Sequence, residues 1–147
     1  MKSLYTEIEI NAPVKTVWQI LTDFTAYPDW NPFIRSFETP PLPGRTFSVT
    51  IQPAGGKPMT FKPVCLALVQ EEEFRWLGHL FFRGLFDGEH IFELKQLSEN
   101  RTLFTQRENF NGILVPLLWS RINGSTRQGF EQMNQQLKNR AETWAAA

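Results

Sequence analysis

The order and period of the apolar residues predict an α+β protein in which an antiparallel sheet curls around one long C-terminal helix. Three observations carry the prediction. Period-two alternation dominates the chain from Phe47 to Phe110. Helical spacing takes over from Trp119 to Trp144. Between a first short helix and the strands stands Tyr-Pro-Asp-Trp-Asn-Pro-Phe, Tyr27 to Phe33. Its two prolines forbid regular helix, so it must be a rigid bend or a single helical turn.

Leu4, Ile8 and Ile10 share one period-two face, interrupted by Thr6, and form a first strand. Asn11 has the chemistry of an N-cap and Pro13 suits a first helical turn. Val14, Val17, Trp18 and Leu21 then recur at helical spacing, and the helix stops before Tyr27-Pro28. The bend holds Trp30 and Phe33 at a set angle, which reads as the rim of a cavity. Asp23 and Asp29 beside it read as capping and turn residues. Phe47, Val49 and Ile51 alternate with Thr46, Ser48 and Thr50 in a strand. Pro53 to Pro58 is a turn. Its Gly-Gly-Lys lacks the glycine spacing of a phosphate loop, and Pro58 stands where Ser or Thr is required.

Thr60 to Gln70 reads as a strand with Pro63 at an edge or bulge. Phe74 to Leu80, Phe86 to Leu97 and Thr102 to Phe110 follow, with turn signals at Gly84 and at Ser98 to Asn100. The order is therefore strand, helix, bend, about six strands and long helix. Gly112 opens the last helical region, which runs to about Trp144 with Pro116 in its first turn. Trp119, Ile122, Thr126, Phe130, Met133, Leu137 and Trp144 form its apolar face. Gly124 and Gly129 cost about 1 kcal/mol each there relative to Ala, so a kink or a close backbone approach is expected. With no repeat or linker, residues 1–147 read as a single domain.

Composition narrows the function. Thirteen Phe and five Trp supply unusually large apolar area. The net charge of zero argues against nucleic acid, whose binders need a basic surface. The single cysteine, Cys65, excludes an internal disulfide and reads as a small buried strand residue. The N-terminus lacks the apolar centre of a signal peptide, and the longest apolar run, Ile113 to Trp119, is too short to cross a bilayer. A cytoplasmic location is expected. His79 and His90 are the only histidines, and no carboxylate cluster accompanies them, so neither a metal site nor a cofactor is expected. No Gly-x-Ser-x-Gly element marks a hydrolase.

These pieces resemble the START-related SRPBCC superfamily, which includes the major birch pollen allergen, over nearly the whole chain. The matching segments are Ala-Pro-Val-Lys-Thr-Val-Trp-Gln-Ile-Leu at the first helix and Tyr-Pro-Asp-Trp-Asn-Pro-Phe after it. Arg75 to Gly78, Gly88 to Leu94 and Glu108 to Gly112 complete the set. They are most similar to the bacterial polyketide cyclase/dehydrase-like branch. The resemblance implies a helix-grip fold: a seven-stranded antiparallel sheet wrapped around the C-terminal helix, two short helices after the first strand, and a deep hydrophobic cavity. It does not imply one activity.

Chemistry is expected on two strands. His90, Phe92 and Leu94 share the more apolar face of one, and Phe104, Gln106, Glu108 and Phe110 share a face of the next. Both faces turn inward only if the connecting loop has an odd number of residues. A three-residue loop, Ser98 to Asn100, pairs Leu97 with Arg101. It places His90 across from Glu108 and Phe92 across from Gln106. A two- or four-residue loop turns Arg107 inward instead. The pair is either a structural bridge, an orienting group for a ligand, or an acid–base couple. The leading functional expectation is binding or transport of a hydrophobic small molecule. Trp30, Phe33, Phe47, Val49, Phe61, Trp76, Phe92, Phe110, Phe130 and Met133 are the expected walls, with His90, Gln106 and Glu108 as the polar contacts. The alternatives are a polyketide cyclase or dehydratase using His90 and Glu108, and a chaperone-assisting module that meets a protein partner through Phe81, Phe82 and Phe86. Phe81-Phe82 and Leu85-Phe86 also read as a lip at the cavity mouth.

Overall fold

A computed structural model describes residues 1–147. In chain order the elements are β1 (Lys2–Ile10), α1 (Val14–Thr22), a 3-10 turn (Phe24–Asp29), β2 (Ile34–Phe37), β3 (Val49–Ile51) and β4 (Met59–Phe61). There follow β5 (Val64–Val69), β6 (Glu73–His79), β7 (Asp87–Ser98), β8 (Arg101–Asn111), α2 (Val115–Arg121), a π turn (Ile122–Thr126) and α3 (Arg127–Ala146). The α+β class, the two short helices after β1 and the long C-terminal helix are as expected. No helix is long and apolar enough to cross a membrane.

The single seven-stranded sheet is not. Five strands form one antiparallel sheet in the order β1-β8-β7-β6-β5, and β2-β3-β4 form a second, three-stranded one. Pro63 is the reason. It cannot donate to a ladder, so the strand expected over Thr60 to Gln70 breaks there, β4 going to the small sheet and β5 to the large. The seam is held by Phe47 N–H donating to Pro63 C=O (3.0 Å), by Cys65 N–H donating to Arg45 C=O (2.9 Å), and by an isolated bridge between Thr46 and Val64. The short β2 was not anticipated. It carries Ile34, which is fully buried, directly after the bend.

The large sheet lies over α3, which buries Phe130, Met133, Leu137 and Ala141. Gly129 gives the expected close approach: a Cβ there would stand 2.4 Å from Phe33 Cδ1. Gly124 sits in the π turn, where an added Cβ meets nothing, so that glycine accompanies a change of helical winding rather than a contact. Two helix details differ from expectation. Trp144 is exposed and lies beneath the Arg140 guanidinium at 5.4 Å instead of entering the core. Asn11 does not cap α1. Pro13 is extended (φ −61°, ψ 149°), the helix begins at Val14, and Asn11 N–H donates to Glu142 Oε2 at 2.9 Å.

Candidate functional site

The β7–β8 hairpin builds the site. His90 pairs with Glu108 and Phe92 with Gln106, as the face pattern requires. The route differs from the three-residue loop. Glu99 and Asn100 form a two-residue turn that pairs Ser98 with Arg101. A register shift between Gln96 and Ser98 leaves Leu97 as a bulge. The bulge supplies the odd residue that the turn lacks, so the inward faces still match. Arg107 accordingly points outward and donates to Glu93 Oε1 at 2.9 Å.

His90 is 1% exposed, its ring stacked on Trp76 (4.7 Å between centroids) and flanked by Phe92 and Phe130. Its Nδ1 lies 3.3 Å from Glu108 Oε1, and the Glu108 side chain is 15% exposed. Gly88 makes room for that carboxylate: a Cβ at position 88 would stand 2.2 Å from Glu108 Oε2. The glycine keeps ordinary strand geometry, so it is required by the neighbouring side chain and not by backbone conformation.

Behind the imidazole runs a buried polar chain. His90 Nε2 lies 2.9 Å from Gln106 Oε1, and Gln106 Nε2 donates to Asn134 Oδ1 at 2.7 Å. Asn134 Nδ2 donates to Thr6 Oγ1 at 2.9 Å, and Thr6 Oγ1 donates to the Gln106 backbone carbonyl at 2.8 Å. Each of these polar side chains is buried and partnered, as a buried polar group must be. The sequence signal for Thr6 and Asn134 was their polarity on otherwise apolar inward faces. Thr6 interrupts the Leu4-Ile8-Ile10 face, and Asn134 sits one turn beyond Phe130.

In front of the pair lies a pocket of about 150 Å³. Of the expected site residues, Phe33, Phe61, Trp76, His90, Glu108 and Phe110 line it. Ile51, Met59, Phe86 and Ile122 join them. Phe47, Val49, Phe92, Phe130 and Met133 instead lie packed in the core beneath. Gln106 is fully buried and reaches the pocket only through His90. Trp30 is half-buried at the end of the bend, packed against the core and against Tyr27 at 5.0 Å and not in the pocket wall, and its buried indole N–H has no partner. The bend does place Phe33 in the wall. It is pinned by Asn31, whose Oδ1 accepts from the N–H groups of Phe33 (2.9 Å) and Ile34 (2.8 Å), so Asn31 does the turn work expected of the aspartates.

The β6–β7 loop carries Phe81 and Phe82 outward, 86% and 62% exposed, with Phe81 at φ 67°. Leu80 and Phe86, at the base of that loop, touch the pocket. The loop is tied to the start of α2 by Ile113 N–H donating to Gly84 C=O (3.1 Å) and Leu114 N–H to Leu85 C=O (3.0 Å). His79, on the neighbouring strand end, is engaged with Asp87 Oδ1 at 2.8 Å. Cys65 is buried at the seam, and burial pushes its thiol pKa up. No cluster of metal-ligating side chains occurs in the chain.

An antiparallel sheet over a C-terminal helix, with a pocket enclosed by β6–β8, the small sheet and the π turn, defines a START-like fold. The chain belongs to the polyketide cyclase / dehydrase and lipid transport family, whose sequence profile matches residues 1–142. A START superfamily protein from Mycobacterium smegmatis is similar in structure, with a TM-score of 0.74 and 19% identity over 97% of this chain and 98% of that one. The Zhui aromatase/cyclase from Streptomyces sp. R1128 superposes with a TM-score of 0.77 at 13% identity, over 96% and 93% of the two chains. A protein from Thermus thermophilus gives 0.75 at 16% identity, over 98% and 99%. At these identities the likeness establishes the fold alone. No curated protein matches this chain in sequence.

Proposed function

We propose that this protein binds a small hydrophobic molecule of aromatic character in the pocket before His90 and Glu108. The supporting observation is the contrast inside that pocket. Its wall is built largely from Phe33, Phe61, Trp76 and Phe110, and few polar side chains reach it: the His90–Glu108 couple from β7 and β8, with His79 and Thr126 at its edge. Apolar walls with few placed polar groups are the usual make-up of a small-molecule site. Each Å² of apolar ligand surface removed from water contributes about 25 cal/mol. Native mass spectrometry of gently purified protein, followed by organic extraction, tests the reading. A discrete bound mass of an apolar compound supports it. Failure of any aromatic probe to shift the amide or indole NMR signals of pocket residues overturns it.

A second reading is a cyclase or dehydratase. It draws on the 3.3 Å contact between His90 Nδ1 and Glu108 Oε1, which is within reach of proton exchange once a substrate closes the site. Loss of turnover in Glu108→Gln with binding intact supports this reading. Unchanged turnover in that variant removes it.

A further inference from the structure

The buried chain behind His90 has only one consistent direction. The Gln106 backbone carbonyl can only accept, so the Thr6 hydroxyl donates to it. Thr6 Oγ1 therefore receives its other bond from the Asn134 amide nitrogen. That turns Asn134 Oδ1 toward Gln106, which must present its own amide nitrogen. The same nitrogen faces the Phe130 carbonyl at 3.4 Å, which requires the same orientation. Gln106 Oε1 is left facing His90 Nε2, so Nε2 carries the proton. The polarity of a backbone carbonyl is thus relayed through three side chains to the imidazole.

With Nε2 protonated, Nδ1 and Glu108 Oε1 face each other 3.3 Å apart, and a proton shared by the pair has two places to sit. If it sits on Nδ1, Glu108 is a carboxylate. If it sits on Oε1, Oε2 is the carbonyl oxygen of a carboxylic acid. In both cases Oε2 is a hydrogen-bond acceptor. Oε2 makes no hydrogen bond within the protein and lies over Gly88, and both residues line the pocket. The pocket, about 150 Å³ and mostly apolar, has room for one benzene-sized ring beside the carboxylate. We infer that the pocket selects an aromatic ligand that presents a hydroxyl group on the ring it buries, a phenol or an enol, which donates to Glu108 Oε2. Thr6, Asn134 and Gln106 are positioning residues for that selection. The inference rests on the ligand-binding reading above.

Titrations with phenol, benzonitrile and benzene test it, because the three fill similar space and differ in offering a donor, an acceptor or neither. Phenol is expected to bind about tenfold to hundredfold more tightly than benzonitrile, which would set acceptor against acceptor in a buried site. In Glu108→Leu that preference is expected to vanish while benzene still binds. In Glu108→Gln it persists in weaker form, since the amide nitrogen faces Nδ1 and the amide oxygen replaces Oε2. Equal or tighter benzonitrile binding overturns the inference and leaves the ligand-binding reading standing. Binding of none of the probes overturns both. The hydrogen-bond direction has its own readout. With only two histidines, ¹⁵N spectra of histidine-labelled protein resolve the four ring nitrogens. His90 Nε2 is expected protonated, with that preference weakened in Asn134→Leu, where only the Phe130 carbonyl still holds the Gln106 amide nitrogen. Thr6→Val is expected to weaken it and Thr6→Ser to restore it. An unprotonated Nε2 in the natural protein overturns the relay.

Discussion

Alanine at Gly88 should disturb Glu108 without disturbing the strand. In an ordinary strand interior, Gly→Ala gains about 0.5–1 kcal/mol, because glycine loses more backbone freedom on folding. Here the new Cβ would stand 2.2 Å from Glu108 Oε2 and 3.2 Å from its Cδ. Nonbonded contacts need about 3.5 Å, so the carboxylate must shift by about 1 Å or more. It leaves the 3.3 Å contact with His90 Nδ1. Leaving a buried polar group without its partner costs about 1–3 kcal/mol, so a net destabilisation of about 1 kcal/mol is expected. Urea unfolding of the natural protein, Gly88→Ala, Glu108→Ala and the double variant closes a thermodynamic cycle. Gly88→Ala is expected to be neutral or stabilising once Glu108 is gone. Equal destabilisation by Gly88→Ala in both backgrounds would refute the idea that the glycine exists to seat the carboxylate.

Three further outcomes are expected. Gly129→Ala drives a Cβ into the Phe33 ring, and overpacking of about 1–3 kcal/mol outweighs the roughly 1 kcal/mol gained in helix propensity; calorimetry should show a lowered midpoint, together with weaker binding of any pocket probe. Phe81→Gly relieves a left-handed backbone at an 86% exposed position and should raise stability by up to about 1 kcal/mol in urea unfolding. Tyr27 is fully buried, its hydroxyl donates to Leu21 C=O at 2.6 Å, and burial, reinforced by Asp23, raises its pKa well above the usual phenol value. The neutral phenol is the favoured folded form. Its contribution is complete below the unfolded pKa of about 10 and is lost as pH rises above it. Tyr27→Phe should cost about 1 kcal/mol at neutral pH and flatten the alkaline loss measured by unfolding at a series of pH values.

The sequence alone determined the class of the fold and the faces of its long strands. In β7 and β8 the inward faces were marked by Phe92 and Leu94 and by Phe104 and Phe110, which carry His90 and Glu108 with them, and their pairing followed from an odd count of intervening residues. Periodicity on the C-terminal helix likewise marked Phe130, Met133 and Leu137. Tertiary structure decided where that pattern is short or locally broken. Pro63 split one expected strand between two sheets, because a residue without an N–H cannot sustain a ladder. The bulge at Leu97 reached the expected register by a different turn, since faces depend only on the parity of the intervening residues. Which aromatics line the pocket and which fill the core could not be read from alternation, because both kinds point inward. Phe47 and Phe92 share that direction with Phe61 and Trp76, and only the position of each residue along the sheet separates them. The polar chain from Thr6 through Asn134 joins residues 128 positions apart in sequence, and such a partnership exists only once β1 and α3 are packed together.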